Sequence, residues 1–432
     1  MSDVSYVRTK MLDEMAPPVS QVGPIRWARE NLFSSVTNSV LTLLAIWFIY
    51  SLLAATLPWI VFSSFSANSL GECRTAIRDA YGADATGACW SVIRERYLQL
   101  LFGFYPSESY WRPILALVLM LVAIGPILFE GLPRKMLIFS GLYPFVGFFL
   151  LWGGTVWLPV TILLGFVIAY FATTMLGKVI GSLGAVIAAI LLPVIWWLFL
   201  AGPVAYGLHA IVPIGLVPIE SARFGGFLLS IVIGVTGIVL SLPIGVLLAL
   251  GRRSDLFVVR TICIGFIEFI RGVPLITLLF VASTLLNYFL PPGTTFDIVL
   301  RVMIMVTLFS SAYMAEVIRG GLAALPRGQY EAANALGMDY WKSMRLIIMP
   351  QALKISIPSI VGIFIGLFKD TTLVSIIGLM DPLGLSTAIR ANAAWNGIVW
   401  ELYGFIALMF FIFCFSMSRY SMYLERKLQT GH

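Results

Sequence analysis

The chain has 432 residues, of which 59% are hydrophobic and 11% charged, with a formal net charge of +7. Soluble domains carry roughly 25% charged residues, so the composition excludes an ordinary soluble protein and points to a membrane. The positive balance needs no nucleic-acid partner, because Lys and Arg at the helix ends that orient a membrane protein account for it.

Residues 1–37 read as a polar, mixed-charge N-terminal segment on the cytoplasmic side. The apolar run behind it is too long for the core of a cleaved signal and is expected to stay as a spanning helix. A span needs roughly 20 mostly apolar residues, fewer with aromatic or charged anchors. Five candidates fall in an N-terminal membrane region over 38–222: Val40–Phe62, Pro113–Phe129, Met136–Trp152, Val156–Leu176 and Leu183–Leu200. Five more follow over 223–421: Gly226–Leu250, Val273–Leu290, Ile298–Ile318, Ile355–Ile377 and Leu402–Met417, ahead of a cytoplasmic tail at 422–432. The fold class is therefore an all-α integral membrane protein with about ten transmembrane helices.

Short-loop basic residues set the direction. Arg8, Lys10, Arg26 and Arg29 place the N-terminus inside. Alternation then puts Arg134, Lys135, Lys178, Arg252, Arg253, Arg327, Lys342, Arg345, Lys354, Arg419, Arg426 and Lys427 inside as well. The stretch near 63–111 breaks this pattern, since parity makes it periplasmic although it carries Arg74, Arg78, Arg94 and Arg96, with Arg112 just beyond it. Asp255–Ile270 is apolar but holds Arg260 and Glu268, and reads as a helix along the inner membrane surface that turns in at Gly272-Val273-Pro274; the alternative is a tilted start to the next span.

Cys73 and Cys89 lie in the stretch assigned to the oxidising side and are candidates for a disulfide, the alternative being two free thiols. Cys263 and Cys414 sit in apolar segments as packing residues, and His209 and His432 are too few for a metal site.

The polar loop between Ile318 and Ile355 contains the most specific signal. Pro326 and Gly328 should break the incoming helix, Gln329–Leu336 favours a short helix, and Gly337 should stop it. Tyr340–Ile348 can form a second short helix ended by Pro350. The product is a compact knob with small residues at Ala332 and Ala333 and an acidic Glu331 placed to meet a basic partner.

This loop resembles the EAA loop of ABC import permeases. Glu331, Ala332, Ala333, Gly337, Ile347 and Pro350 match that pattern in register, with Met349 replacing a Leu by a side chain of similar volume. The resemblance implies that the C-terminal five spans form a type I importer core, and that the knob near 319–351 is a coupling helix seated on an ATPase. The blocks Leu242–Ser254, Arg271–Leu275, Ser311–Gly321 and Lys369–Ser375 resemble polar amino-acid permeases, and the N-terminal half and C-terminal tail resemble the larger permease subunits for general L-amino acids or for glutamate, glutamine, aspartate and asparagine. Implied partners are ABC ATPase subunits, a second related permease and a periplasmic amino-acid-binding protein, in the lipid of a bacterial inner membrane.

No phosphate-binding Gly-x-x-x-x-Gly-Lys-Ser/Thr loop is present, so the chain is expected to be a transport subunit that binds no cofactor, with ATP and Mg on the partner ATPase. Charges inside spans are functional candidates by default. Glu316 has Arg319 three residues on, as either a structural ion pair or a substrate contact. Lys369, Asp370, Thr371, Thr372 and Ser375 interrupt a span with the charges and hydroxyls that a zwitterionic amino acid would need, or form a pair that packs against the second permease. An ion-coupled secondary transporter is the alternative; no internal repeat supports it, and it leaves the Glu331 loop unexplained. A membrane enzyme would want clustered His, Cys or carboxylates.

Overall fold

The protein is described here by a computed structural model covering residues 23–129, 131–285, 288 and 297–428. Arg8, Lys10 and His432 lie outside these residues, as does much of the C-terminal end of the expected span Val273–Leu290. The chain divides into two units, residues 1–91 and 92–432.

In the first unit, α1 (Gly23–Asn31) leads to α2 (Val36–Val61), whose start is capped by the Ser35 hydroxyl accepting from the Asn38 amide. None of the 26 residues of α2 is buried, as suits a helix whose surroundings are lipid. The polar segment behind it folds around α3 (Leu70–Tyr81), capped by Ser69 with Glu72 reaching back to the Asn68 amide. Cys73 and Cys89 form a disulfide with Cα atoms 6.0 Å apart, both side chains buried.

The second unit takes in α4 (Ser91–Phe102) from its second residue, then α5 (Trp111–Leu128) and α6 (Met136–Trp152) packed on each other. Next are α7 (Trp157–Phe171), α8 (Gly177–Ile195) and α9 (Ala201–Ile211). A two-residue ribbon pairs β1 (Gly154–Thr155) antiparallel to β2 (Gly215–Leu216). Gly181, with φ of 75°, breaks α8, so the spanning part begins at Gly184. It runs on to Ile211, past the expected end at Leu200, because a π turn over Trp196–Leu200 carries the helix into α9. That register shift is anchored by the Trp196 and Trp197 indoles, which donate to the Thr161 and Ile162 carbonyls of α7.

The C-terminal half comprises α10 (Gly226–Arg252), α11 (Phe257–Gly272), α12 (Leu275–Phe280), α13 (Ile298–Ala324), α14 (Arg327–Ala335), α15 (Tyr340–Ser343), α16 (Met349–Asp370), α17 (Pro382–Ala391) and α18 (Trp400–Leu428). Its core is α10 against α13 and α13 against α16, with α18 packed on α16. Small residues permit these approaches: a Cβ at Gly245 would lie 2.7 Å from the Met314 side chain, and one at Gly321 would lie 2.6 Å from the Ala352 carbonyl oxygen.

Among the described residues, eight helices are long and apolar enough to cross a membrane, or nine if the bent pair α11–α12 counts as one span. The expected span Met136–Trp152 is a helix of 17 residues. The expected turn at Gly272-Val273-Pro274 is a bend of 101° between α11 and the helix resuming at Leu275. Arg112, just beyond the stretch near 63–111, is buried and donates to the Val217 carbonyl at 2.7 Å, so its charge serves packing.

Candidate coupling knob and polar span interruption

The knob is α14 and the turn that follows it. Pro326 has extended backbone angles that separate α13 from α14. Gly337 ends α14 in the left-handed region at φ 68°, and the Met338 amide donates back to the Ala333 carbonyl at 3.2 Å. Asp339 caps α15 by accepting from the Lys342 amide at 2.9 Å. That bond, with the Lys342 ammonium beside it, holds the Asp339 carboxyl below the usual range.

Pro350 does not end the second short helix. A π turn over Met344–Ile348 joins α15 to α16, and Pro350 falls in the first turn of α16, where a missing N–H is tolerated. The span therefore runs unbroken from Tyr340 to Ile377. Of the six motif positions, Ala333 is buried, Ile347 half-buried, and Glu331, Ala332, Gly337 and Pro350 are exposed. Leu336 and Trp341 are 71% and 68% exposed, a large apolar offering beside an acidic side chain.

Three contacts tie α14 to the spans. The Tyr330 hydroxyl accepts from Arg253 Nη1 at the end of α10 and donates to the Leu322 carbonyl of α13, both at 3.2 Å. The Arg253 guanidinium also lies over the Tyr330 ring, 5.7 Å from its centroid. Gln351 at the start of α16 donates to the Gln329 side-chain oxygen at 3.1 Å. The sequence points to Arg253 as an orientation signal and part of the Leu242–Ser254 block and to Gln329 as a helix former, but to none of these contacts; the adjacency of Tyr330 to Glu331 is the available clue.

Glu316 sits just inside the knob, with 16% of its side chain exposed. It accepts from Arg252 Nη1 of α10 at 2.6 Å and from Arg319 of its own helix at 2.9 and 3.0 Å, with Arg271 of α11 at 3.7 Å. Arg252 also reaches Glu268 at 3.0 Å, and Arg271 lies over the Tyr313 ring. The expected Glu316–Arg319 pair is thus one edge of a network joining three helices. Both oxygens of Glu316 are occupied by guanidinium groups.

The polar interruption at the end of α16 is split. Asp370 lines a cavity of about 270 Å³ with Ser310 and Tyr313 of α13, whereas Lys369 and Thr372 line another of about 370 Å³ with Tyr403 and Phe410 of α18. The hydroxyls of Thr371, Thr372 and Ser375 donate to the carbonyls of Phe368, Lys369 and Thr372, three residues back in each case. The structure therefore does not gather these five side chains round one point. No group of three or more His, Cys, Asp or Glu that could hold a metal ion occurs among the described residues.

The chain is 57% identical to the glutamate/glutamine/aspartate/asparagine transport system permease protein BztC of Rhodobacter capsulatus over the full length of both chains. The chain belongs to the permease subunits of amino-acid ABC importers. Residues 241–430 match the family of binding-protein-dependent transport system inner membrane components. The inner membrane amino-acid ABC transporter permease YhdY of Escherichia coli K12 is 41% identical over 94% of this permease and 93% of its own length. The glutamate/aspartate import permease GltK of Escherichia coli O6:H1 is 30% identical, spanning 96% of itself but 49% of this chain. Identity along the whole or nearly the whole of two amino-acid permeases supports the importer over an ion-coupled carrier, and the protein is a transport permease subunit rather than an enzyme in itself.

Proposed function

We propose that this permease passes glutamate, aspartate and their amides inward across a bacterial inner membrane, with both termini in the cytoplasm. In this reading α14 seats on a partner ATPase that binds and hydrolyses ATP, a second related permease completes the pathway, and a periplasmic binding protein delivers substrate. The substrate class rests on the likeness to the Rhodobacter capsulatus permease. The coupling role rests on one observation: the knob that exposes Glu331, Leu336 and Trp341 is bonded through Tyr330 and Gln329 to the ends of α10, α13 and α16. A push on α14 would reach all three core helices at once.

Within the pathway, Lys369 would receive a substrate carboxylate, being an exposed cation inside a span with no acid within salt-bridge distance among the described residues. Asp370, about 100° round the helix and lining the other cavity, would receive the ammonium there as the substrate passes. Affinity purification of the assembly from its native membrane tests the coupling role. Wild type should bring down an ATPase and a second permease, and Glu331→Arg should lose the ATPase while keeping the permease. Equal ATPase recovery in both would refute it.

A further inference from the structure

The N-terminal helices meet the C-terminal core closely at two levels and leave a gap between them. At one end the Phe104 amide donates to the Arg223 carbonyl and a Cβ at Gly103 would overlap Gly225. At the other end the Tyr420 hydroxyl of α18 donates to the Leu128 carbonyl, the last residue of α5, at 2.6 Å. Between these ties lies a cleft of about 590 Å³ bounded by α5, α6, α10 and α13, well within the range of roughly 300–1,000 Å³ that holds small ligands.

Its walls are almost wholly apolar: Leu117 and Met120 of α5, Phe148 of α6, and Val232 and Val235 of α10 are representative. Of the polar groups there, the Tyr143 hydroxyl is committed to the Ala116 carbonyl, and Asp297 to Ser221 and the Leu300 amide. Along α10 the lining runs from Phe227 to Thr236, about 14 Å at 1.5 Å per residue. That matches one leaflet of a hydrocarbon core about 30 Å thick. A cleft among membrane helices, one leaflet deep and lined almost wholly by apolar side chains, would stay empty only at the loss of its dispersion contacts.

We propose that this cleft binds one acyl chain of a membrane phospholipid, which acts as packing between the N-terminal helices and the transport core. Two of the walls, α5 and α6, lie outside the region matching the importer family, so the site is a property of the longer permeases rather than of the core alone. The proposal does not depend on which amino acids are carried.

Native mass spectrometry of the whole assembly in mild detergent tests it. Wild type should retain one phospholipid per chain through collisional activation. Leu117→Trp and Val235→Trp, which fill the cleft from opposite walls, should each lose that adduct with the assembly intact. No retained lipid in wild type, detergent in its place, or an adduct that survives in both variants would overturn the proposal. Should a variant fail to assemble, quenching decides: Trp152 lines the cleft, so phospholipids brominated on the acyl chain should quench a component of wild-type fluorescence that Trp152→Phe lacks. An identical quenched fraction in the two proteins would likewise overturn it.

Discussion

Replacing Glu316 by Gln removes the one carboxylate, among the described residues, on which Arg252, Arg271 and Arg319 all converge. Arg319 and Arg271 would have no acid left in this network, and Arg252 would keep only the half-exposed Glu268. Breaking one partner of a buried pair costs about 3–5 kcal/mol. Here the arginine side chains are 24 to 45% exposed, so water screens part of that loss and about 2 kcal/mol is the reasonable figure. Unfolding of the purified assembly in denaturant should show this drop, while the apparent affinity for amino acid in uptake assays stays near wild type. The double variant Glu316→Gln/Arg252→Gln should cost less than the sum of the single changes, because the second substitution removes a stranded charge. A Glu316→Gln protein of unchanged stability but altered substrate affinity would refute the structural role and place Glu316 on the transport path.

The substrate residues should separate by the charge they meet. Lys369→Met should raise KM for glutamate and glutamine alike about tenfold or more, as both share the α-carboxylate, and Asp370→Asn should do the same through the ammonium; unchanged KM with lost assembly would make either a packing residue. Cys73→Ser should destabilise the first unit by about 3 kcal/mol, since the bridge closes a loop of sequence separation 16, and protease sensitivity of residues 63–91 is the readout. Asp381 caps α17 from a buried position, accepting from the Leu383 and Gly384 amides. Burial pushes its carboxyl up to about 6, against those amides, which hold it down. A carboxyl raised in the fold favours the folded state at low pH, an advantage lost as pH rises from its unfolded value near 3.9 through about 6. Asp381→Asn should therefore be less sensitive in melting temperature across that window; parallel profiles would contradict the assignment.

Much of the membrane architecture was legible because apolar runs and helix ends are local. The knob was legible because Pro326, Gly337 and Asp339 act within a turn of themselves. The misplacements have physical causes. Pro350 looks like a stop, yet a π turn upstream sets it in the first turn of a continuing helix, and no local pattern announces that register shift. The same holds for Trp196–Leu200, where the helix continues because two indoles reach across to α7. The network round Glu316 joins residues 64 positions apart, and only packing of α10 on α13 creates it. Lys369 and Asp370 are neighbours in sequence, but adjacent helical residues point about 100° apart, so they line different cavities, which sequence adjacency does not reveal.

The most direct test of coupling through α14 is to measure ATP hydrolysis and amino-acid uptake together in proteoliposomes holding the full assembly, wild type or Tyr330→Phe. The substitution removes both hydroxyl bonds to α10 and α13, each worth about 0.5–1.5 kcal/mol, and leaves the ring and the exposed docking surface in place. The ATPase should still be bound and still hydrolyse ATP, while the amino acid carried per ATP falls several-fold. An unchanged ratio of uptake to hydrolysis would contradict transmission through Tyr330.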